Sequence, residues 1–349
     1  MAKRVLMSGN IAAAEGAILA GCHAFFGYPI TPQNDLLEHM SRRLPPLGRI
    51  FVQTESELSA INMVLGASAA GFRAMTSTSG PGFSLQQEGI SYMAGMELPA
   101  VIVDVMRAGP GLGSIGGAQG DYFQATKGGG HGDYRVLTLA PASAQEMMDL
   151  TMLAFELADK YRNPVVVLAD GFLGQAMEPV AMREPVAELP GKPWAITGAR
   201  GRPKNVLNSL ELEPADLEPR MQALVQKFEM MRQNEVRYES LDLDDASMAI
   251  VAYGSASRSA MTAVHMARQE GLRVGLLRPI SLFPFPYQAL SDLAQRVDDF
   301  LVAELSFGQL VEDVRWAVGP NHRVELVNRL AGVRLSAEEI LEAIRKMAR

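Results

Sequence analysis

A formal net charge of −7 over 349 residues and a sequence pI of about 5.4 exclude the clustered excess of lysine and arginine that a nucleic-acid footprint needs, and argue against direct docking of a strongly acidic protein. The single cysteine, Cys22, excludes an intrachain disulfide and cannot supply the four thiolates that usually hold an iron–sulfur cluster. No stretch reaches the roughly 18 apolar residues of a membrane helix, and MAKRVLMSGN carries two basic residues without the apolar run of a signal peptide, so a cytoplasmic chain with no membrane contact is expected.

From the N-terminus to about residue 180, helical patterns alternate with short apolar runs, which predicts an α/β domain with a mainly parallel sheet. Asn10 is the expected N-cap of a helix ending near Gly21. His23–Tyr28 reads as a strand, and Thr31-Pro32 as the N-cap and first residue of a helix reaching Leu44. A strand at Ile50–Thr54 precedes a helix from Glu55 to Gly71 with small residues (Ser59, Ala60, Gly66, Ala67, Ala70) on one face. The next strand, Arg73–Ser79, turns through Gly80-Pro81-Gly82 into a helix starting near Phe83. Ala100–Met106 is a near-continuous apolar strand of the kind buried on both faces, ended by Arg107, and a glycine-rich loop runs from Ala108 to about Tyr134. A strand at 136–140, a helix opened by the capping box Ser143-x-x-Glu146, and a strand at Pro164–Asp170 follow.

Prolines punctuate residues 181–245, where Arg220–Tyr238 reads as a charged amphipathic helix, so this segment is expected as a surface connector. From Met248 the alternation resumes and closes on a helix opened by Ser336-x-x-Glu339. The expected architecture is therefore two doubly wound, mainly parallel-sheet α/β domains, 1–180 and 246–349, joined by residues 181–245.

Several residues are candidates for chemistry. Gly111–Gly116 fits G-x-G-x-x-G, but it lies past the strand end and no helical pattern follows, so dinucleotide binding is not expected. His23 and His131 have no clustered partners, so a metal site made by this chain alone is not expected. Glu57 opens a helix and reads either as a first-turn acid favoured by the helix dipole or as a functional carboxylate. Thr31 reads either as a cap or as a ligand-binding residue at a strand end, where open α/β sheets bind ligands. Arg107, at the end of a buried strand, needs an anion, which a ligand carboxylate could supply.

Glu57, Gly66 nine residues on, Gly71 and the turn Thr78–Gly82 resemble the pyrimidine-binding domain of thiamine-diphosphate enzymes. With GYPITP (Gly27–Pro32), MRAGPG around Arg107, DYFQATKGGGHGDY and GQLVEDVR (Gly308–Arg315), nearly the whole chain resembles the alpha subunit of 2-oxoacid:ferredoxin oxidoreductases. The resemblance implies a pyrimidine-binding fold followed by a transketolase C-terminal-like fold. It also implies that Glu57 hydrogen-bonds N1′ of the thiamine diphosphate aminopyrimidine, with Glu55 the fallback. Tyr28, Pro29, Ile30, Ser79, Gly80 and Phe83 would hold that ring. Thr31 and Arg107 would bind the 2-oxoacid, Arg107 at its carboxylate, and coenzyme A would collect the acyl group.

The family's magnesium-binding G-D-G followed by asparagine has no match, Ala169-Asp170-Gly171 being the nearest. A beta subunit is therefore implied to carry the diphosphate and Mg²⁺. A gamma subunit and a ferredoxin-like iron–sulfur subunit complete the implied assembly, with external ferredoxin as acceptor. Two departures stand out: Gln33 occupies a position where the family usually has serine, and GGGHGDY lacks the extra basic residue of 2-oxoglutarate members. The second leans toward the branched-chain substrate 3-methyl-2-oxobutanoate. Pyruvate or another 2-oxoacid, a non-oxidative thiamine-dependent decarboxylase subunit, and a non-catalytic nucleotide-binding α/β protein remain alternatives.

Overall fold

The computed structural model describes residues 4–349; Lys3, one of the two N-terminal basic residues, lies outside them. Strand β1 (Arg4–Ser8) leads into α1 (Gly9–Leu19), capped by Ser8, whose Oγ accepts from the Ile11 amide at 3.2 Å. Asn10 is not the cap. It is fully buried, and its Nδ2 donates to the Pro32 carbonyl at 2.8 Å and to Asp35 Oδ1 at 2.6 Å. Gly16 lets α1 approach its neighbour closely, since a Cβ there would lie 2.5 Å from the Met148 carbonyl oxygen.

Strands β2 (Ala24–Gly27), β3 (Ile50–Gln53), β4 (Ala74–Thr78) and β5 (Ala100–Met106) are parallel neighbours in the order β5-β4-β2-β3, and α2 (Asn34–Arg43), α3 (Glu57–Ala69) and α4 (Pro81–Met96) connect them. The expected helix start at Thr31 is displaced: α2 begins at Asn34 after Gln33, and no side chain caps it. The small face of α3 is also used differently. Ala60 is buried but Gly66 is exposed, and close packing of α3 on α4 comes from Gly89, where a Cβ would meet Ile61 Cγ2 at 2.6 Å.

Beyond β5 come α5 (Tyr122–Thr126), β6 (Leu137–Leu139), α6 (Ala144–Tyr161), β7 (Pro164–Asp170), α7 (Gly171–Gln175) and β8 (Met177–Ala181). Every residue of β5 and β7 is buried, as the Val/Ile runs of a two-sided parallel sheet require. The Ser143 cap forms, its Oγ accepting from the Glu146 amide, yet the Glu146 carboxylate does not return to Ser143. It accepts from the Ala142 amide at 2.8 Å and takes both Nη groups of Arg278 at 2.9 and 2.7 Å.

Helix α8 (Pro214–Asn234) starts earlier than the charge pattern predicts, and it tolerates Pro219 on its exposed side. Then follow β9 (Tyr238–Leu241), β10 (Met248–Val251), α9 (Gly254–Gln269), β11 (Val274–Pro279), β12 (Ser281–Phe283), α10 (Tyr287–Ala294), β13 (Asp299–Glu304), α11 (Leu310–Val318), β14 (Arg323–Asn328) and α12 (Ala337–Met347). They form a second sheet, β14-β13-β10-β11-β9, parallel except for edge strand β9. Two short strands tie the halves together: β9 comes from the proline-rich segment, and β12 leaves the second half to pair antiparallel with β6 at the edge of the first sheet. Two mainly parallel α/β layers result. No helix among the described residues is long and apolar enough to cross a membrane.

The glycine-rich loop is stitched to the second half. Gln309 accepts from the Phe123 amide and donates to the Gly120 carbonyl, both at 2.7 Å. Buried Asp313 accepts from the Tyr122 hydroxyl at 2.5 Å and from Lys127 and Tyr287. Asp313→Ala would strand the buried Tyr122 hydroxyl and is expected to lower the unfolding free energy by about 3 kcal/mol, measured by urea denaturation.

Candidate active site

The loops leaving the C-terminal ends of β3, β2, β4 and β5 lie side by side because those strands are parallel neighbours. This edge gathers the residues singled out above. From β2 come Tyr28 and Pro29, both exposed, and Ile30 and Thr31, both half-buried. Buried Gln33 turns the chain here: its Oε1 accepts from Ser77 Oγ on β4 at 2.6 Å, and its Nε2 donates to the Tyr28 carbonyl at 3.3 Å. Glutamine in place of serine thus supplies the reach to pin this loop to β4.

After β3, Ser56 caps α3 and Glu57 opens it. Glu57 is only 5% exposed, and its carboxylate lies beside the first turn of α4. A Cβ at Gly82 would fall 2.4 Å from Glu57 Oε1 and 2.3 Å from Thr78 Oγ1. Only glycine leaves room there. Glu55, by contrast, is exposed and accepts from Ser59 Oγ at 2.5 Å, the bond that chiefly holds its carboxyl below the usual range. The two acids therefore face different environments.

Beyond β4, Ser79 and Gly80 are buried, Gly80 takes φ 43°, and Phe83 is 1% exposed. The Thr78 and Ser79 hydroxyls are buried without partners among the described residues. Beyond β5, Arg107 Nη1 donates to the Thr31 carbonyl at 3.1 Å and Nη2 to the Leu112 carbonyl at 3.1 Å, while Nε is buried without a partner. Thr31 and Arg107 are thus brought together. The segment Gly111–Gly116 is an exposed loop closed by the Arg107–Gly117 bridge, with no helix following it directly.

Two acidic residues escaped the sequence reading. Asp104 sits within β5, fully buried, with neither carboxylate oxygen partnered. Asp121 returns to it from the glycine-rich loop. Burial, then the Asp121 charge, pushes the Asp104 carboxyl well above its usual range, and burial raises Asp121 to about 6. An aspartate inside an otherwise apolar run was the available signal. Asp170 of Ala169-Asp170-Gly171, set above beside the magnesium-binding pattern, caps α7 through the Leu173 amide at 3.1 Å and accepts from the Ser255 amide at 2.8 Å, so its oxygens serve backbone groups.

Two family descriptions match the chain: pyruvate flavodoxin/ferredoxin oxidoreductase, thiamine diphosphate-binding, over residues 15–249, and pyruvate:ferredoxin oxidoreductase core domain II over residues 246–340. The chain is 55% identical over 344 residues to the ketoisovalerate oxidoreductase subunit VorB of Methanothermobacter thermautotrophicus, covering 98% of this chain and 97% of the relative. It is 37% identical over 370 residues to the 2-oxoglutarate synthase subunit KorA of Methanocaldococcus jannaschii, covering 97% and 98%. Among solved structures, a 2-oxoglutarate:ferredoxin oxidoreductase from Magnetococcus marinus, with 2-oxoglutarate, coenzyme A and succinyl-CoA bound, superposes with a TM-score of 0.89 at 27% identity. All of this chain and 66% of that one are covered.

The Asp121 carboxyl carries a linkage consequence. Its folded value of about 6 stands above the reference 3.8, so over that window the folded chain keeps a proton that the unfolded chain has released. Unfolding free energy is therefore expected to fall as pH rises from about 4 to about 6 through this group. Urea titrations across the window should show a shallower decline in Asp121→Asn.

Proposed function

The chain belongs to the pyruvate flavodoxin/ferredoxin oxidoreductase family, and on that premise we propose that it is the alpha subunit of a thiamine-diphosphate-dependent 2-oxoacid:ferredoxin oxidoreductase whose substrate is 3-methyl-2-oxobutanoate. The reaction converts the oxoacid and coenzyme A to acyl-CoA and CO₂ while ferredoxin is reduced. The observation that carries this reading is the buried Glu57 carboxylate in the space kept open by Gly82.

The residues present fit the aminopyrimidine half of thiamine diphosphate. A carboxylate this buried calls for a charge-assisted donor, which a protonated ring nitrogen supplies. The unpartnered Thr78 and Ser79 hydroxyls and the apolar Phe83 ring line the same edge, beside Tyr28, Pro29 and Ile30. When bound, the cofactor supplies the electron sink that lets a 2-oxoacid lose CO₂. Glu57 then holds the proton relation at N1′ that sets the ring's tautomer. Arg107 spends two of its five donors on the Thr31 and Leu112 carbonyls, which fixes the guanidinium plane and leaves Nε and the remaining N–H groups for the oxoacid carboxylate. Thr31 stands beside it.

A neutral substrate side chain agrees with the surroundings. Residues 108–120 carry no charge, and Lys127, the nearest cation of the following loop, is tied to Asp313. The higher identity to a ketoisovalerate oxidoreductase subunit than to a 2-oxoglutarate synthase subunit agrees as well.

In this reading residues 1–180 carry a half-site and residues 246–349 brace its glycine-rich loop. A beta subunit brings the diphosphate and Mg²⁺, and a gamma subunit and a ferredoxin-like subunit complete the assembly with its iron–sulfur clusters. Cys22 is buried, and burial pushes its thiol up to about 12, the opposite of what a metal-binding thiolate needs. The outer faces of α3 and α4 expose Leu58, Met63, Leu85 and Tyr92, apolar side chains that support subunit contact.

In the reconstituted complex, Glu57→Gln is expected to lower turnover by roughly 100-fold or more with assembly unchanged, and near-normal turnover would overturn the cofactor assignment. Gly82→Ala, which leaves every carboxylate in the chain, is expected to cost roughly 100-fold by displacing Glu57. Reduction of a low-potential acceptor with a panel of 2-oxoacids should rank 3-methyl-2-oxobutanoate first by kcat/KM; decarboxylation without acceptor reduction would favour the non-oxidative reading instead.

A further inference from the structure

Asp104 and Asp121 lie beneath the Gly80 turn, within hydrogen-bond reach of each other; the Gly80 amide faces both, and the Arg107 guanidinium faces Asp121. Asp104 Oδ1 and Oδ2, Asp121 Oδ2 and Arg107 Nε are all buried without partners among the described residues. Two ionised carboxylates could not persist side by side in such a place, since the Gly80 amide cannot satisfy both and each would repel the other. A single proton between them gives both a partner. Gly80 belongs to the same group, because its Cα carries the turn within van der Waals contact of Arg107: a Cβ there would be 3.6 Å from Arg107 Cγ.

We propose that Asp104 and Asp121 share one proton and act as a pair of positioning residues, whose single negative charge holds the Arg107 guanidinium and the Gly80 turn in the geometry that receives the oxoacid carboxylate. This rests on the reading of Arg107 as the carboxylate partner. Asp104, the more deeply desolvated of the two, holds the proton, and Asp121, which burial raises only to about 6 against its bonds to Asp104 and Gly80 and the Arg107 charge, keeps the charge at neutral pH. Two charges would overcompensate Arg107 and repel the substrate. None would leave the guanidinium without a counter-ion.

The remaining groups around the pair leave that charge in place. Asp170 at the end of β7 is engaged by the Leu173 and Ser255 amides. Glu304 at the end of β13 accepts from the Gln309, Leu310 and Val311 amides at 3.0 to 3.2 Å. The Tyr253 phenol, buried among these acids, is pushed well above its usual value by burial and then by Glu304, Asp170, Asp121 and Asp104, so it stays neutral. Asp121 is therefore the group that changes charge near pH 6, and the loop that delivers it is fixed from the second half by Gln119, which accepts from the Leu305 amide and donates to the Tyr253 carbonyl, both at 2.9 Å.

The test compares Asp104→Asn, in which an amide donor replaces the protonated acid and the Asp121 charge survives, with Asp104→Asn/Asp121→Asn, which keeps the shape and removes the charge. In the assembled complex, the double variant is expected to raise the oxoacid KM at least tenfold over the single variant, with kcat within threefold. The rise in the wild-type KM as pH falls below about 6 should be absent from the double variant. Equal KM values in the two variants overturn the proposal. Arg107→Gln is run alongside: if it leaves KM unchanged, the reading of Arg107 fails, whereas a raised KM there with equal values in the aspartate variants sinks only the pair. The infrared difference between wild type and Asp104→Asn at neutral pH needs no turnover. A protonated-carboxyl band lost in the variant supports the shared proton, and its absence from the wild type overturns it.

Discussion

Everything at this edge of the molecule depends on holding the Glu57 carboxylate, almost wholly out of water, against the first turn of α4. Glu57 occupies the volume that a side chain at Gly82 would fill, so the first turn of α4 can press against it and shut solvent out. That approach requires β3 and β4 to flank β2 in one parallel sheet, which places the starts of α3 and α4 next to each other. The sheet's strand order, a glycine and a buried charge are thus one structural unit. Such a charge is costly alone and becomes useful once a cationic or N–H donor arrives.

The second half of the chain is not a passive appendage. Gln309 and Asp313 hold Tyr122, Phe123 and Lys127, while Glu304 gathers the free amides at the start of α11 and so fixes the helix from which Gln309 and Asp313 act. Strand β12 adds a physical graft by joining the first sheet. Arg278 works to the same end: it is 4% exposed in its side chain, held between Glu146 of the first half and Glu239 beside it on β9. The glycine-rich loop therefore owes its shape to residues far away in sequence, which is how a segment so poor in side chains can carry Asp121 to a fixed place.

Much of the candidate site was legible because its residues stand at strand ends or in short motifs. Glu57 after β3, Thr31 after β2, the Gly80 turn after β4 and Arg107 after β5 could each be found from local pattern, and the parallel order of the strands brings them together. Capping was read less well. Asn10, Thr31 and Glu146 all have cap-forming chemistry, yet tertiary partners claim Asn10 and Glu146, and Thr31 precedes the real helix start. Short polar side chains bind whatever donor or acceptor is closest, and sequence spacing records only the local choice.

The sequence by itself determined the alternation of strands and helices, the apolar strands at 100–106 and 164–170, and the polar and charged residues that stand at the strand ends and helix starts, because periodicity and chemical type are local properties. Only the tertiary structure decided that Glu57 rather than Glu55 is shut from solvent, that Asp104 and Asp121 meet beneath Gly80, and that Asp170 serves amide groups. Burial and the pairing of charges depend on which elements pack together. Neighbours in space, unlike neighbours in the chain, set the solvation that makes one carboxylate an ordinary surface group and shuts another from water.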